Sequence, residues 1–107
     1  MERFEELKEK IRKFNKDRDW DQFHSPENLA KSVAIEAGEL LECFQWSEEF
    51  DQNAVEEEMA DVFTYLLDLS DRLGVDLLKI TDKKMDKNAF KYPIEKAKGR
   101  SDKYNKL

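Results

Sequence analysis

Two pairs of carboxylates, each spanning three residues and each set in an apolar stripe, constrain this chain more than any other feature. The first pair is Glu36 and Glu39, in Ile35-Glu36-Ala37-Gly38-Glu39-Leu40. The second is Glu58 and Asp61, in Glu58-Met59-Ala60-Asp61. On a helix, residues three apart lie one turn apart on one face. Val33, Ile35, Leu40 and Leu41 surround the first pair, and Val55, Met59, Val62 and Phe63 the second. Bare charge beside a core-forming stripe is costly, so such carboxylates must be paired or hold a cation. About 20 residues and a turn separate the pairs, which brings two antiparallel helices level. Four acidic side chains with no His or Cys among them suit a hard, oxygen-seeking cation, Mg²⁺ or alternatively Mn²⁺.

The rest of the chain also reads as helical. Three glycines and two prolines punctuate 107 residues, and no β-alternating run stands out, so the expected class is all-α. Phe4, Leu7, Ile11 and Phe14 mark a first helix over about 2–18. Ser25, Pro26 and Glu27 form an N-cap, first-position proline and acidic first turn. They open a second helix expected to reach about Glu48. A third runs from about Asn53 to Leu73, stopped by Gly74. A fourth starts at Asp76 and ends near Asn88, before Pro93. The result is a four-helix bundle over residues 1–93. Residues 94–107 form a polar, basic tail, expected to be loosely ordered.

Charge is unevenly spread. Residues 1–78 carry 9 basic and 21 acidic side chains, and residues 79–107 carry 10 and 4, for net charges of −12 and +6. An acidic body with a basic C-terminal segment fits a metal–polyphosphate ligand and argues against a nucleic-acid partner. A solvated lysine-rich tail is the plainer reading. No apolar run approaches the ~20 residues of a membrane span, so no membrane partner is expected. A charged N-terminus and a lone cysteine, Cys43, point to the cytoplasm. Apolar stripes broader than one thin bundle can hide point to a homo-oligomer.

A ferritin-like di-iron site would need Glu-x-x-His on two helices. The single histidine, His24, lies in a connection, which removes that reading. Tyr65 follows Asp61 by four residues on the same face and could offer a ring beside the metal. Trp20, His24 and Trp46 lie near helix ends, where aromatics usually pack loops, though a tryptophan pair flanking a carboxylate helix suits stacking on a nucleobase. Lys84, Asn88 and Lys91 share one side of the fourth helix, followed by Tyr92. No phosphate-binding glycine loop and no Ser/His/Asp or Cys/His arrangement competes.

These segments together resemble the all-α nucleoside triphosphate pyrophosphohydrolases of the MazG type. Glu36-Ala37-Gly38-Glu39 and Glu57-Glu58-Met59-Ala60-Asp61 carry the first part of the resemblance. Three further segments are similar to the dCTP pyrophosphatase branch: Trp20-Asp21-Gln22-Phe23-His24-Ser25-Pro26-Glu27-Asn28-Leu29, Phe44-Gln45-Trp46, and Lys84-Met85-Asp86-Lys87-Asn88-Ala89-Phe90-Lys91-Tyr92-Pro93. The resemblance covers roughly residues 4–93 and assigns nothing beyond Pro93. It implies that Glu36, Glu39, Glu58 and Asp61 bind Mg²⁺ and form the catalytic centre. It implies that Trp20, His24, Trp46 and Tyr65 line the base and sugar pocket, and that Lys84, Asn88, Lys91 and Tyr92 approach the phosphates. It also implies a homodimer or a tetramer with shared sites. Lys91 stands where arginine is common, and a lysine lacks the bidentate fork.

The function expected on this reading is Mg²⁺-dependent cleavage of a nucleoside triphosphate to the monophosphate and pyrophosphate. dCTP or a related pyrimidine deoxynucleotide is the expected substrate, and nucleotide-pool cleaning the expected role. The alternative from another class is a non-catalytic, homo-oligomeric helical interaction module, with the acidic pairs bridging to lysines of a second copy.

Overall fold

Helix-stop chemistry divides the chain. In the computed structural model, which describes residues 2–107, the elements are α1 (Glu2–Asp17), a 3₁₀ turn (Asp21–Phe23), α2 (Pro26–Glu42), α3 (Gln52–Leu73), α4 (Leu77–Lys91), α5 (Ile94–Ala97) and a second 3₁₀ turn (Tyr104–Lys106). No strand occurs among the described residues, so the all-α expectation holds. The chain forms two compact units, the first ending at Val75 and the second spanning Asp76–Leu107.

In the first unit, α1 and α3 end alike. Gly74 adopts φ 68° and donates its N–H to Asp71 O, while Val75 N–H reaches Ser70 O at 3.0 Å. That is a Schellman ending, with glycine in the left-handed position. At the end of α1, Asp19 takes the same position at φ 55°. Its N–H bonds Lys16 O at 3.1 Å and Trp20 N–H bonds Asn15 O at 3.0 Å. Trp20 is thereby turned back onto Phe14, edge to face at 5.5 Å. Ser25 caps α2 as expected, its Oγ accepting from Asn28 N–H at 3.2 Å.

α2 is shorter than expected. It stops at Glu42, six residues before Glu48. The N–H groups of Cys43, Phe44 and Gln45 bond the carbonyls three residues back, tightening the last turn. Phe44 then packs on Phe50 with ring centroids 4.9 Å apart, so the stretch folds over its own aromatic pair instead of continuing as helix. Asp51, accepting from Asn53 N–H at 3.0 Å, opens α3.

α2 packs along α3, and α1 leans on α3. The apolar core is small: Leu29, Val55 and Leu67 are its buried members. Polar links supplement it. Arg12 of α1 grips Asp71 of α3 with Nε and Nη2, both at 2.7 Å. Asn15 Nδ2 donates to Asp68 Oδ1 at 2.9 Å. Arg72 donates to the backbone carbonyls of Asp21 and His24, each at 2.7 Å, and so ties the α1–α2 connection to α3.

In the second unit, Asp76 caps α4 through Lys79 N–H at 3.1 Å. The helix runs to Lys91, three residues past the expected end at Asn88, and Tyr92 leaves it ahead of Pro93. Beyond Pro93 the chain takes defined turns where loose order was expected. Tyr104 meets the Tyr92 ring edge-on at 6.2 Å, and Lys91 Nζ lies 4.9 Å from the Tyr104 ring centroid.

Candidate functional site

The packing of α2 on α3 turns the two carboxylate pairs toward each other. One oxygen each from Glu36, Glu58 and Asp61 lies within 4.8 Å of the other two. Glu36 and Glu58 are half-buried, while Asp61 and Glu39 are exposed. Glu39 falls outside the close triad but acts electrostatically on Glu36 and Glu58. So three of the four expected ligands converge tightly and the fourth borders them.

The triad is under electrostatic stress. Burial, followed by Glu39, Asp61 and Glu58, pushes the Glu36 carboxyl up to about 7. Burial, followed by Glu39 and Asp61, also raises Glu58. Glu36 Oε2 and Glu58 Oε2 are buried without a hydrogen-bond partner. Buried acceptors left unpaired are expensive, and like charges at this range resist joint ionisation. A divalent cation resolves both problems, and a set of carboxylate oxygens fits a hard one. The residues present therefore fit a hard divalent cation.

A cavity of about 410 Å³ opens beside this cluster. Asp61, Thr64, Tyr65 and Asp68, successive positions on one face of α3, form one wall, and Trp20 and His24 belong to its lining. Leu7, Ile11 and Phe14 of α1 close it from the other side. Burial, followed by the charges of Glu36, Asp68, Asp61 and Glu39, raises the Tyr65 phenol, which keeps it a neutral donor. Trp20, His24 and Tyr65 thus come together with Asp61. Trp46 does not join them: it stands 88% exposed on the turn after α2. Lys84, Asn88 and Lys91 lie on α4 and Tyr92 at its end. Lys84 and Lys91 border a depression of about 520 Å³ with Lys87 and Phe90.

The sequence reading missed Asn15 and Asp68. Both line the cavity, and they are 6% and 7% exposed. Burial raises the Asp68 carboxyl, against the hydrogen bond from Asn15 and the charge of His24. Their signal was available: Asp68 lies three residues after Tyr65 and seven after Asp61, and Asn15 lies four after Ile11 on the α1 stripe.

The MazG-like family model matches residues 31–107, and so runs past Pro93, where the sequence reading assigned nothing. dCTP pyrophosphatase 1 of Rattus norvegicus is 36% identical over 113 aligned residues, covering 96% of this chain and 66% of that protein. The Homo sapiens protein is 37% identical, with the same coverage of both. The chain thus spans just under two thirds of the length of these relatives. The crystal structure of a pyrophosphatase from Archaeoglobus fulgidus superposes with a TM-score of 0.79 at 42% identity, covering 85% of this chain and 93% of that one.

Proposed function

The chain belongs to the MazG-like family, and from that premise we propose that it is a nucleoside triphosphate pyrophosphohydrolase using Mg²⁺, with dCTP or a related pyrimidine deoxynucleotide as substrate. The observation that carries the proposal is the carboxylate triad, with its two unpartnered buried oxygens, opening into an aromatic-lined cavity. The names of the rat, mouse, bovine and human relatives support the substrate.

Glu36, Glu58 and Asp61 would hold the cation. When bound, it supplies positive charge against the phosphate oxygens and lowers the barrier to attack. Water adds across the α–β anhydride; the bridging P–O bond breaks, pyrophosphate departs and the monophosphate remains. The proton of that water needs an acceptor. Glu39, adjacent to the triad and outside it, is the carboxylate left free for the task. Trp20, His24 and Tyr65 give the base flat walls, and stacking on such rings is worth roughly 1–3 kcal/mol per base. Lys84, Asn88, Lys91 and Tyr92 are assigned to the polyphosphate on their charge and hydrogen-bonding chemistry. Trp46 is assigned to the base pocket on its motif.

Assembly as a homodimer or tetramer is part of the proposal. Leu41 is 72% exposed and Ile35 61%, both beside the first carboxylate pair. Cytoplasmic residence rests on the lone cysteine. No helix among the described residues is long and apolar enough to cross a membrane.

Glu39→Gln and Asp61→Asn test the proposal. Each should abolish pyrophosphate release while leaving the helical circular dichroism intact, because an amide keeps the shape and removes the charge. Wild-type turnover by both variants at saturating Mg²⁺ would remove the quartet from the reaction.

A further inference from the structure

Two polar residues that line the 410 Å³ cavity, Asn15 and Asp68, are not used by the chemistry above. Among the described residues, one hydrogen bond reaches the Asp68 carboxylate, from Asn15 Nδ2 to Oδ1 at 2.9 Å. Asp68 is 93% buried, yet it lines the cavity. Its second oxygen, Oδ2, takes no hydrogen bond from the described residues, and Asp68 borders a second cavity with Arg12 and Arg72 as well; Oδ2 is the oxygen available to an occupant. Asn15 has spent an amide N–H on Asp68, and its own Oδ1 is a further acceptor. The Asn15–Asp68 pair therefore offers acceptors to an occupant, in a cavity that Lys10 and His24 also line.

Position favours a base edge. Asp68 lies seven residues after Asp61 on α3, a rise of about 10 Å, comparable to the length of a nucleoside 5′-monophosphate from phosphorus to base edge. A nucleotide with its phosphates at Asp61 and its ring between Trp20, His24 and Tyr65 would bring that edge toward Asp68. A carboxylate accepts from the exocyclic amine of cytosine and repels the 4-oxo group of uracil or thymine.

We propose that Asp68, held by Asn15, is the specificity-determining residue that accepts a hydrogen bond from the exocyclic amine of the base and rejects 4-oxo pyrimidines. This rests on the nucleotide reading above. Asp68→Asn tests it, because the side chain can still accept from Asn15 through its oxygen while its amide turns a donor into the cavity. The ratio of kcat/KM for dCTP over dUTP should fall by tenfold or more, with the dUTP value held or raised. Binding of dCMP against dUMP, followed by tryptophan fluorescence, should shift in the same sense without any turnover.

A second comparison needs no variant and decides the matter if Asp68→Asn fails to fold. The wild-type protein should bind dCMP about tenfold or more tightly than the monophosphate of 2-pyrimidinone deoxyriboside, which lacks the amine and carries no 4-oxo group. Equal wild-type affinity for those two ligands would overturn the assignment. So would a parallel loss for dCTP and dUTP in Asp68→Asn, which would mark Asp68 as structural support. Either result leaves pyrophosphate release by the wild type intact. Absence of pyrophosphate release from every triphosphate would instead fell the underlying reading, and this assignment with it.

Discussion

At the scale of the residue, Glu36 records the conflict that defines the site. Its carboxyl is raised from an ordinary 4.5 to about 7, by burial first and by three neighbouring carboxylates after it. Between those values the folded chain holds a proton that the unfolded chain releases. Stability from this group is therefore complete below about 4.5 and is lost as pH rises toward 7. Glu58 and Asp68 are raised in the same direction. The metal-free protein should show a melting temperature that falls between pH 5 and pH 7.5. On the proposed function, saturating Mg²⁺ should flatten or reverse that slope by binding the ionised triad. A slope unaffected by Mg²⁺ would mean the triad holds no cation. The carboxylates were legible in the sequence because three-residue spacing on an apolar stripe is a strong helical signal. Asn15 and Asp68 were overlooked because each was one polar residue on an apolar face, and only the approach of α1 to α3 turns the two into a pair.

At the scale of the element, stops were legible where their chemistry is local. Gly74 announces the end of α3, and the structure puts it at φ 68° with nothing within 4 Å of where a Cβ would stand. Gly74→Ala therefore meets backbone strain alone and should cost about 1 kcal/mol, read from urea midpoints at unchanged slope. The matching stop on α1 escaped notice because Asp19 does glycine's work there, at a left-handed φ of 55°. The end of α2 escaped for another reason. Nothing between Leu41 and Trp46 breaks a helix locally, and the contact of Phe44 with Phe50 depends on how the chain folds back. Arg72 shows how one element serves the site: its two bonds hold the Asp21 and His24 carbonyls, and with them the Trp20–His24 segment. Arg72→Ala should raise KM more than it lowers kcat, because on the proposed function the residue positions a wall of the base pocket and touches no reacting atom.

At the scale of the whole molecule, the core is thin for the apolar surface present. Leu29, Val55 and Leu67 are its buried apolar members, while Leu41, Ile35, Met59 and Leu73 each remain more than half exposed. Light scattering should report a dimer or tetramer at micromolar concentration; a folded species of 12.7 kDa would contradict that assignment. The −12 and +6 split was readable from the order of charged residues along the chain and suits the proposed metal–polyphosphate ligand. The central claim is the reaction itself, and product analysis tests it most directly. With dCTP and Mg²⁺, the protein should release pyrophosphate and dCMP in equal amounts, and chelation of the metal should stop both. Release of orthophosphate with dCDP, or no turnover of any nucleoside triphosphate, would contradict the account.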